Sequence, residues 1–361
     1  MNNTIACTAL IAAGCLSTGA HAQQVTMYGL LDLGVAYTTN ANAAGDSIIK
    51  MPSLTASLPS RIGFRGSEDL GGGAQAIFAL ETGIGVDMGT MGQGNRLFGR
   101  AAYVGLKNAY GQLMLGRQVN MTFLATAKSD IIGPNIFSIS SLDLYLPNAR
   151  SDNAIGYLGV FKELTVGATY SFGRDASSAG GPAATGCAGE VPGNARACRQ
   201  VTGMLAWDTK TWGASASYDQ LRGGPGAANG LVRAADTDRR ISLNGYAVLG
   251  QTKIGGGAIE RRIDAASDSR LGLYYLGASY TFDGPWQLDG QLSRLDVKDS
   301  PKASKLAVLR ATYYLSRRTA VHASLGRMQN KGGAAIALDA GGTVGAGLNQ
   351  SGVLMGVRQA F

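Results

Sequence analysis

The segment LTVGATYSF, residues 164–172, alternates apolar and small polar side chains with a period of two. The same alternation recurs at 212–219, 274–282 and 353–361. A period of two predicts β-strands with one apolar face and one polar face. The apolar face would be the core of a soluble β-sandwich, or it would face lipid in a membrane barrel. The period alone does not separate these two folds.

Three further patterns favour the membrane barrel. Aromatic residues stand toward the ends of the apolar faces, as in the aromatic girdles of such barrels. Short turns alternate along the chain with longer loops rich in Gly, Ala, Asn and Asp, which is also typical of barrels. Single charges occur on the polar faces, where a sandwich core would have to neutralise each of them. These charged residues are Asp32, Arg61, Arg65, Glu81, Arg310 and Arg358.

The alternating segments predict an all-β fold, a single transmembrane antiparallel β-barrel of about 16 strands. An even number of strands lets the first strand pair with the last and close the barrel. Counts of about fourteen or eighteen strands are the alternatives, because strand boundaries are the least certain part of such a reading. The predicted strands are 25–38, 60–68, 74–86, 98–107, 112–118, 153–160, 164–174, 200–208, 212–220, 238–248, 252–262, 270–282, 286–297, 303–315, 319–329 and 351–361.

Residues 1–22 predict a secretory signal peptide, followed by the barrel domain at 23–361. The segment LIAAGCLSTGA (10–20) is too short to span a bilayer, and Ala20-His21-Ala22 fits the small-x-small cleavage pattern. Lipidation at Cys15 is the disfavoured alternative, since Ala12 stands where a lipoprotein signal usually has Leu.

The composition excludes several other classes of protein. Gly accounts for 53 of 361 residues, and only 16% of residues are charged. The net charge is +8, but the basic residues are scattered through the predicted strands, so we expect no nucleic-acid partner. After residue 22 no apolar run approaches the ~18–20 residues of a membrane helix.

Two of the four cysteines, Cys187 and Cys198, lie beyond the predicted signal peptide in a Gly/Pro/Ala-rich segment, 175–199. In an oxidising periplasm such a pair predicts a disulfide that closes a small loop. Two free thiols are the alternative. A zinc site is disfavoured because the segment has no His, and we predict neither a metal nor a cofactor.

The stretch VNMTFLATAKSDIIGPNIFSISSLDLYLPNARSD, residues 119–152, shows neither strand alternation nor helical periodicity. An irregular stretch of this length inside a compact domain is usually a functional loop. We expect it to fold inward and constrict the barrel. Its larger apolar side chains would pack against the wall: Phe123, Ile131, Ile132, Phe137 and Tyr145.

Five segments that lie in register over nearly the whole chain carry a resemblance to a known family. They are VTMYGLLDLGVAY (25–37), SRIGFRGSEDLGGGAQAIFALE (60–81), GRAAYVGLKNAYGQLMLGRQ (99–118), RSDNAIGY (150–157) and GVRQAF (356–361). Together they resemble the general diffusion porins of β-proteobacteria. Two departures are local: Gln359 stands where His is usual, and the long loop lacks the acidic, Gly-rich motif of many relatives.

The resemblance implies a homotrimeric barrel in the outer membrane of a Gram-negative cell, surrounded by lipid and lipopolysaccharide. It also implies that the third long loop folds into the lumen. The C-terminal aromatic residue, Phe361, would be recognised by the barrel-assembly machinery.

Basic residues near the inward loop are the candidate selectivity residues. Alternation places Arg61 and Arg65 on the lumen face. In the family that the chain resembles, arginines on the wall oppose the inward loop, and the matching positions here are Arg61, Arg100 and Arg150, with Arg117 as a fourth candidate. The alternative is that these arginines only satisfy carbonyl and carboxylate groups of loops.

Simple alternation would turn Arg100 and Arg117 toward lipid. Each therefore requires a β-bulge to reach the lumen, and the adjacent Gly99 and Gly116 make bulges feasible.

Within the loop, Asp130 and Asp143 are the expected acidic partners of the arginines, with Lys128 nearby. A surplus of arginine at a constriction favours anions. We therefore predict a water-filled channel for passive diffusion of small hydrophilic solutes and ions, with a preference for anions. The alternative is a substrate-selective channel whose constriction binds one solute.

Enzymatic and adhesive functions are disfavoured. The chain has two His, and because His21 lies in the predicted signal, a Ser-His-Asp arrangement would depend on His322 alone. No HExxH, P-loop or dinucleotide-binding pattern occurs. The long loops would face outward, as in an adhesin, but they carry no recognisable motif.

Overall fold

The computed structural model describes residues 24–175 and 185–361. The predicted signal peptide lies outside the described residues. Sixteen long strands form the wall of a barrel, each ending within three residues of its predicted bounds. They are β1 (Gln24–Thr38), β2 (Arg61–Gly71), β3 (Ala74–Gly85), β4 (Ala101–Asn108), β5 (Gly111–Val119), β6 (Arg150–Phe161), β7 (Leu164–Ser171), β8 (Gln200–Asp208), β9 (Trp212–Arg222), β10 (Thr237–Leu249), β11 (Thr252–Asp264), β12 (Ser269–Thr281), β13 (Trp286–Val297), β14 (Ala303–Tyr314), β15 (Thr319–Lys331) and β16 (Gln350–Ala360).

Every wall strand pairs antiparallel with its neighbours in sequence, and β1 pairs with β16 from Leu30↔Ala360 to Thr38↔Gly352. The sheet therefore closes on itself and leaves no open edge. This confirms the predicted all-β barrel. Two short strands lie in loops: Ile48–Lys50 pairs with β1, and Thr90–Met91 pairs with β3.

The side chains of the wall are distributed opposite to those of a soluble sandwich. Leu243 and Leu292 are 66% and 67% exposed, whereas Ser242 and Gln291, their neighbours in sequence, are 2% and 4% exposed. Apolar side chains thus cover the outside and small polar side chains fill the inside. Only a surrounding of lipid makes that arrangement favourable.

The two ends of the barrel differ in their connections. One end has turns of two to four residues, such as 72–73, 162–163 and 250–251, and we call it the short-turn end. The other end has the longer connections, including 39–60, 86–100, 120–149, 172–199 and 332–349, although the connections 265–268 and 298–302 are also short. In barrels of this kind short turns face the periplasm and long loops face the exterior.

Little helix is present in the described part of the chain. A helix at Met121–Thr126 and 3₁₀ turns at Ile139–Ser141 and Leu146–Asn148 all belong to the connection 120–149. A single turn at Gly92–Asn95 contains Gln93 and Gly94 with φ of 52° and 78°, so it does not continue as a right-handed helix. No helix among the described residues is both long and apolar enough to cross a membrane.

Candidate functional site

The connection 120–149, here called the constriction loop, folds inside the barrel and begins with a capped helix. The Asn120 side chain accepts a hydrogen bond from the Thr122 amide, which caps the helix Met121–Thr126. The helix is tied to the wall at two points. The Thr122 hydroxyl donates to the Asp219 carboxylate (2.7 Å), and the Met121 amide donates to the Thr202 hydroxyl (3.2 Å).

The middle of the loop packs against the inner wall through apolar side chains. Phe137 and Ile132 are 0% and 1% exposed. Burying each such side chain contributes roughly 1.5–3 kcal/mol, which holds the loop against this side of the barrel. The wall residues of the same apolar cluster include Ile259, Leu273, Leu306, Met328 and Leu354.

Tyr145 is the polar anchor of the loop. Its hydroxyl forms hydrogen bonds with Asp219, with the Asn120 amide (2.6 Å) and with the Gln200 amide (2.7 Å). Two guanidinium groups lie near its ring, with Arg240 4.2 Å and Arg174 4.8 Å from the ring centroid. Both guanidinium groups are therefore within the range of a cation–π contact with this ring.

The loop carboxylates do not face the predicted arginines. Asp143 pairs with Arg240 at 2.8 Å, and Asp130 accepts a hydrogen bond from the Gln291 amide at 2.8 Å. The prediction that Asp130 and Asp143 oppose the arginines across the pore is therefore wrong. Both side chains lie on the face of the loop that contacts the wall, where a buried carboxylate requires a partner.

These environments shift the pKa values of the two loop carboxyl groups in opposite directions. Burial raises the pKa of Asp130. Burial would also raise the pKa of Asp143, but the guanidinium groups of Arg240 and Arg261 outweigh burial and lower the pKa to about 2.

A second segment, 51–60, also folds into the barrel, and no local pattern in the sequence predicts this position. The Ser57 hydroxyl and the Leu58 amide (2.8 Å) both donate to the Asp32 carboxylate. His322 Nε2 lies 2.8 Å from the other Asp32 oxygen. Because Ser57 contacts Asp32 and not the imidazole of His322, these residues do not form a catalytic triad.

The wall opposite the constriction loop carries the predicted arginines. Arg100 donates to Glu81 at 2.5 Å, and Arg61 lies 3.8 Å from the same carboxylate. The Tyr28 hydroxyl also donates to Glu81 (2.9 Å). One carboxylate thus serves two guanidinium groups.

Arg150 was expected to line the pore but is only 2% exposed. It donates to the carbonyl oxygens of Arg100 and Pro147, each at 3.0 Å, and forms no ion pair with any carboxylate that the structure describes. The end of the constriction loop covers it. A solute in the pore therefore experiences the electric field of Arg150 but does not contact its side chain.

Arg117 extends the group of charges toward the outer end. It pairs with Asp152, and Arg96 pairs with Asp152 (3.2 Å) and Asp175 (2.6 Å). The register between β5 and β6 shifts between Gly116 and Gln118, and Gly116 has a φ of 125°. This irregularity turns Arg117 inward, as the argument from alternation required.

Arg100 and Arg65 are the remaining basic residues that were predicted to line the lumen. Arg100 precedes the first residue of β4, so it reaches the lumen without the expected bulge. Arg65 lies opposite Thr26 in the register of β1 and β2, on the lumen face. It is four residues nearer the short turn than Arg61. Arg65 stacks on Tyr28, 5.3 Å from the ring centroid, and stands outside the group around Glu81.

One of these arginines, Arg100, borders an open cavity of about 720 Å³ at the outer side of the constriction. Both inward segments and the wall line it, and lining residues include Lys50, Leu54, Gln93, Arg100, Asn135 and Asn148. Within the described part of the chain, the neighbouring group holds six guanidinium groups and three carboxylates. They belong to Arg61, Arg96, Arg100, Arg117, Arg150 and Arg174, and to Glu81, Asp152 and Asp175. Positive charge is therefore in surplus.

Arg96 was not predicted because it lies in an irregular connection where no periodicity assigns a side. Arg174 was not predicted either: it ends the strand expected at 164–174, and in the structure that strand stops at Ser171. Arg174 donates to the Asn148 carbonyl oxygen (3.0 Å) and thus holds the end of the constriction loop. Its amide donates to the carbonyl oxygen of Cys198. Cys187 and Cys198 form a disulfide, which braces this connection.

The C-terminal residue closes the barrel seam. Phe361 and Gly29 exchange two main-chain hydrogen bonds, of 3.0 and 3.1 Å. The Phe361 side chain is 40% exposed on the outer surface.

Among the residues that the structure describes, no group of three or more His, Cys, Asp or Glu could hold a metal ion.

Comparison with known proteins agrees with this geometry. The profile described as Gram-negative porin matches residues 6–333 of the chain. The chain belongs to the Gram-negative porin family. As a porin it is a passive channel of the outer membrane and not an enzyme.

Individual relatives support the same assignment. The porin is 30% identical to outer membrane porin protein 32 of Delftia acidovorans, over 93% of this chain and 94% of the relative. It is 29% identical to an outer membrane porin of Bordetella pertussis, over 87% of this chain and 92% of the relative. Among solved structures, the anion-selective porin of Comamonas acidovorans superposes with a TM-score of 0.79 at 28% identity, covering 94% of this chain and all of the other.

Proposed function

We propose that this porin conducts small hydrophilic solutes with a preference for anions. The observation that carries the proposal is the surplus of arginine over carboxylate beside the constriction cavity. The loop carboxylates do not offset it, because Asp130 and Asp143 are bonded to Gln291 and Arg240. The anion selectivity stated for the Comamonas acidovorans porin supports the proposal.

The test is the reversal potential of single channels in a planar bilayer under a KCl gradient. A surplus of fixed positive charge raises the local concentration of chloride, so the reversal potential should have the sign of chloride preference. A cation-selective or unselective channel would contradict the proposal.

A substrate-selective channel is the second candidate, and the inward position of segment 51–60 favours it. Two segments instead of one narrow the lumen, so a solute would contact several walls at once. Saturable flux of one solute in a liposome assay would support this candidate, whereas flux that rises linearly with concentration for all small solutes would support general diffusion.

We also propose a homotrimer, supported by the family and by the trimer form of a Vibrio cholerae outer membrane protein that shares this fold at a TM-score of 0.65. Conductance that closes in three equal steps would support it. Chemical cross-linking that yields only monomers would contradict it.

The outer surface of the barrel supports two further proposed partners, lipopolysaccharide and the barrel-assembly machinery. Outward-facing cations, among them Arg294, Lys305 and Arg327, line a groove of about 440 Å³ with Leu276 and Leu292. We propose that this groove contacts lipopolysaccharide, because its phosphates would meet the cations and its acyl chains the leucines. Phe361 at the seam is the proposed signal for the barrel-assembly machinery.

A further inference from the structure

A second cavity lies between the constriction loop and the wall, on the short-turn side of the loop. Its volume is about 140 Å³. Its floor is apolar and consists mainly of Leu124, Leu158 and Met204. A wall that only bounds water has no need of an apolar recess, so this cavity requires another explanation.

The size of the recess suits one small ring. An apolar cavity of about 150 Å³ holds a benzene molecule in another protein. Met204 contributes a thioether, which makes favourable contacts with aromatic rings. Ala206, on the same strand, also lines the recess and leaves it unfilled because its side chain is small.

The mouth of the recess is cationic. Lys128 pairs with Asp208 at 2.8 Å, yet its side chain is 58% exposed. The Tyr246 hydroxyl donates to the same carboxylate (3.0 Å), and the Lys253 ammonium lies 5.0 Å from the centroid of the Tyr246 ring. Lys128 thus pairs with the Asp208 carboxylate, and Lys253 lies over the ring of the tyrosine that bonds the same carboxylate.

We propose that this recess, lined by Leu124, Met204 and Lys128 and here called the loop–wall pocket, binds small aromatic carboxylates on their way through the channel. The ring would occupy the apolar floor, and the carboxylate would lie between Lys128 and Lys253. A lysine ammonium binds such a carboxylate as a compact point charge. The proposal rests on the proposed anion conduction and adds a solute class to it.

Benzoate is the probe, added on the short-turn side of channels in a planar bilayer that conduct KCl. Benzoate should reduce the chloride current in a saturable way, because a bound ion delays the passage of others. Acetate lacks the ring and benzyl alcohol lacks the charge, so each should act only at several-fold higher concentration.

Two variants test the two halves of the pocket. Lys128→Gln removes a cation, and Ala206→Leu fills the floor. Each should raise the half-blocking benzoate concentration, and Lys128→Gln should do so by roughly 1.5- to fivefold, the range expected for loss of one exposed charge contact. Lys305→Gln is the matched control, because Lys305 is exposed in the outward-facing groove and lies outside the lumen. It should leave the benzoate effect unchanged.

Equal block by benzoate and acetate would overturn the proposal, as would unchanged block in both pocket variants that still conduct KCl. If benzyl alcohol blocked the current as strongly as benzoate, the pocket would not recognise the carboxylate, and that part of the proposal would be wrong. The reversal potential in KCl alone tests the proposed anion preference separately. A channel without that preference, but with saturable benzoate block, would retain the loop–wall pocket.

Discussion

Arg100 donates from Nε to the Glu81 carboxylate at 2.5 Å, on the wall that borders the outer cavity. The same carboxylate lies 3.8 Å from Arg61. Glu81 therefore offsets part of the positive charge of the neighbouring arginines, and we expect the selectivity of the channel to depend on this balance.

Neutralising Glu81 should strengthen the anion preference, and neutralising Arg61 should weaken it. A unit charge several ångströms from an ion in water contributes about 0.5–1 kcal/mol, with opposite sign for chloride and potassium, so each change should alter the chloride-to-potassium permeability ratio roughly five- to thirtyfold before screening by salt. Reversal potentials of Glu81→Gln and Arg61→Gln channels measure both effects. Glu260→Gln is the matched control, because Glu260 is exposed on the outer face opposite Gly272. Shifts of the same sign in the two lumen variants would refute the charge argument.

The anion preference should also decrease with salt concentration. The screening length is about 10 Å at 0.1 M and about 3 Å at 1 M, so fixed charges act on passing ions mainly in dilute salt. We expect the permeability ratio of the wild-type channel to approach that of free KCl near 1 M. A ratio that does not change between 0.1 and 1 M would indicate selection by contact instead of by field.

Tyr145→Phe should loosen the constriction loop. The substitution removes a hydroxyl that bonds Asp219, Asn120 and Gln200 and leaves these buried groups short of a partner, at a cost of about 1–3 kcal/mol. The expected results are greater open-channel noise and faster proteolysis at Lys128, with the barrel intact. Tyr274→Phe is the control, since Tyr274 is 53% exposed on the outer face. Equal noise in the two variants would show that the Tyr145 hydroxyl does not hold the loop.

The Asp143–Arg240 pair should make the loop resistant to mild acid. The pKa of Asp143 in the folded protein is about 2, below its usual 3.8. Because the folded pKa is the lower one, the pair stabilises the loop fully above about pH 4 and loses that contribution as the pH falls toward 2. Channel noise should therefore stay constant from pH 7 to about 4 and rise below about 3. In Asp143→Asn the noise should be high already at pH 7 and should lack this acid step.

Strand alternation predicted the wall well because each wall residue has one of two possible directions. In the segment 164–172, Tyr170 on the apolar face is 42% exposed and Thr169 on the polar face is 2% exposed, as the period alone predicts. The constriction loop offers no such rule. Asp143 was expected to face the pore, but its partner Arg240 is 97 residues away in the sequence, and no local pattern reports that pairing. For the same reason the inward position of segment 51–60 depends on Asp32 and His322, which are far apart in the chain.

The seam between β1 and β16 gives a final prediction, since it requires a residue without a side chain at position 29. A Cβ on Gly29 would lie 2.3 Å from the Phe361 ring and 2.9 Å from the Arg61 carbonyl oxygen. The ring could swing aside, but the carbonyl belongs to a paired strand and cannot. Gly29→Val should therefore lower the temperature at which the folded barrel is lost on a gel. Gly203→Val is the control, because its Cβ would meet nothing nearer than 4.0 Å.

Refolding in detergent separates this steric effect from recognition of Phe361 in the cell. If the ring and the new side chain compete for one space, Gly29→Val combined with Phe361→Ala should be less destabilised than the sum of the two single variants. Additive losses would instead place the defect at the Arg61 carbonyl oxygen alone. In cells, Phe361→Ala should reduce the amount of assembled barrel more than its loss of stability in detergent explains, because the machinery proposed to read the terminal residue is present only in the cell.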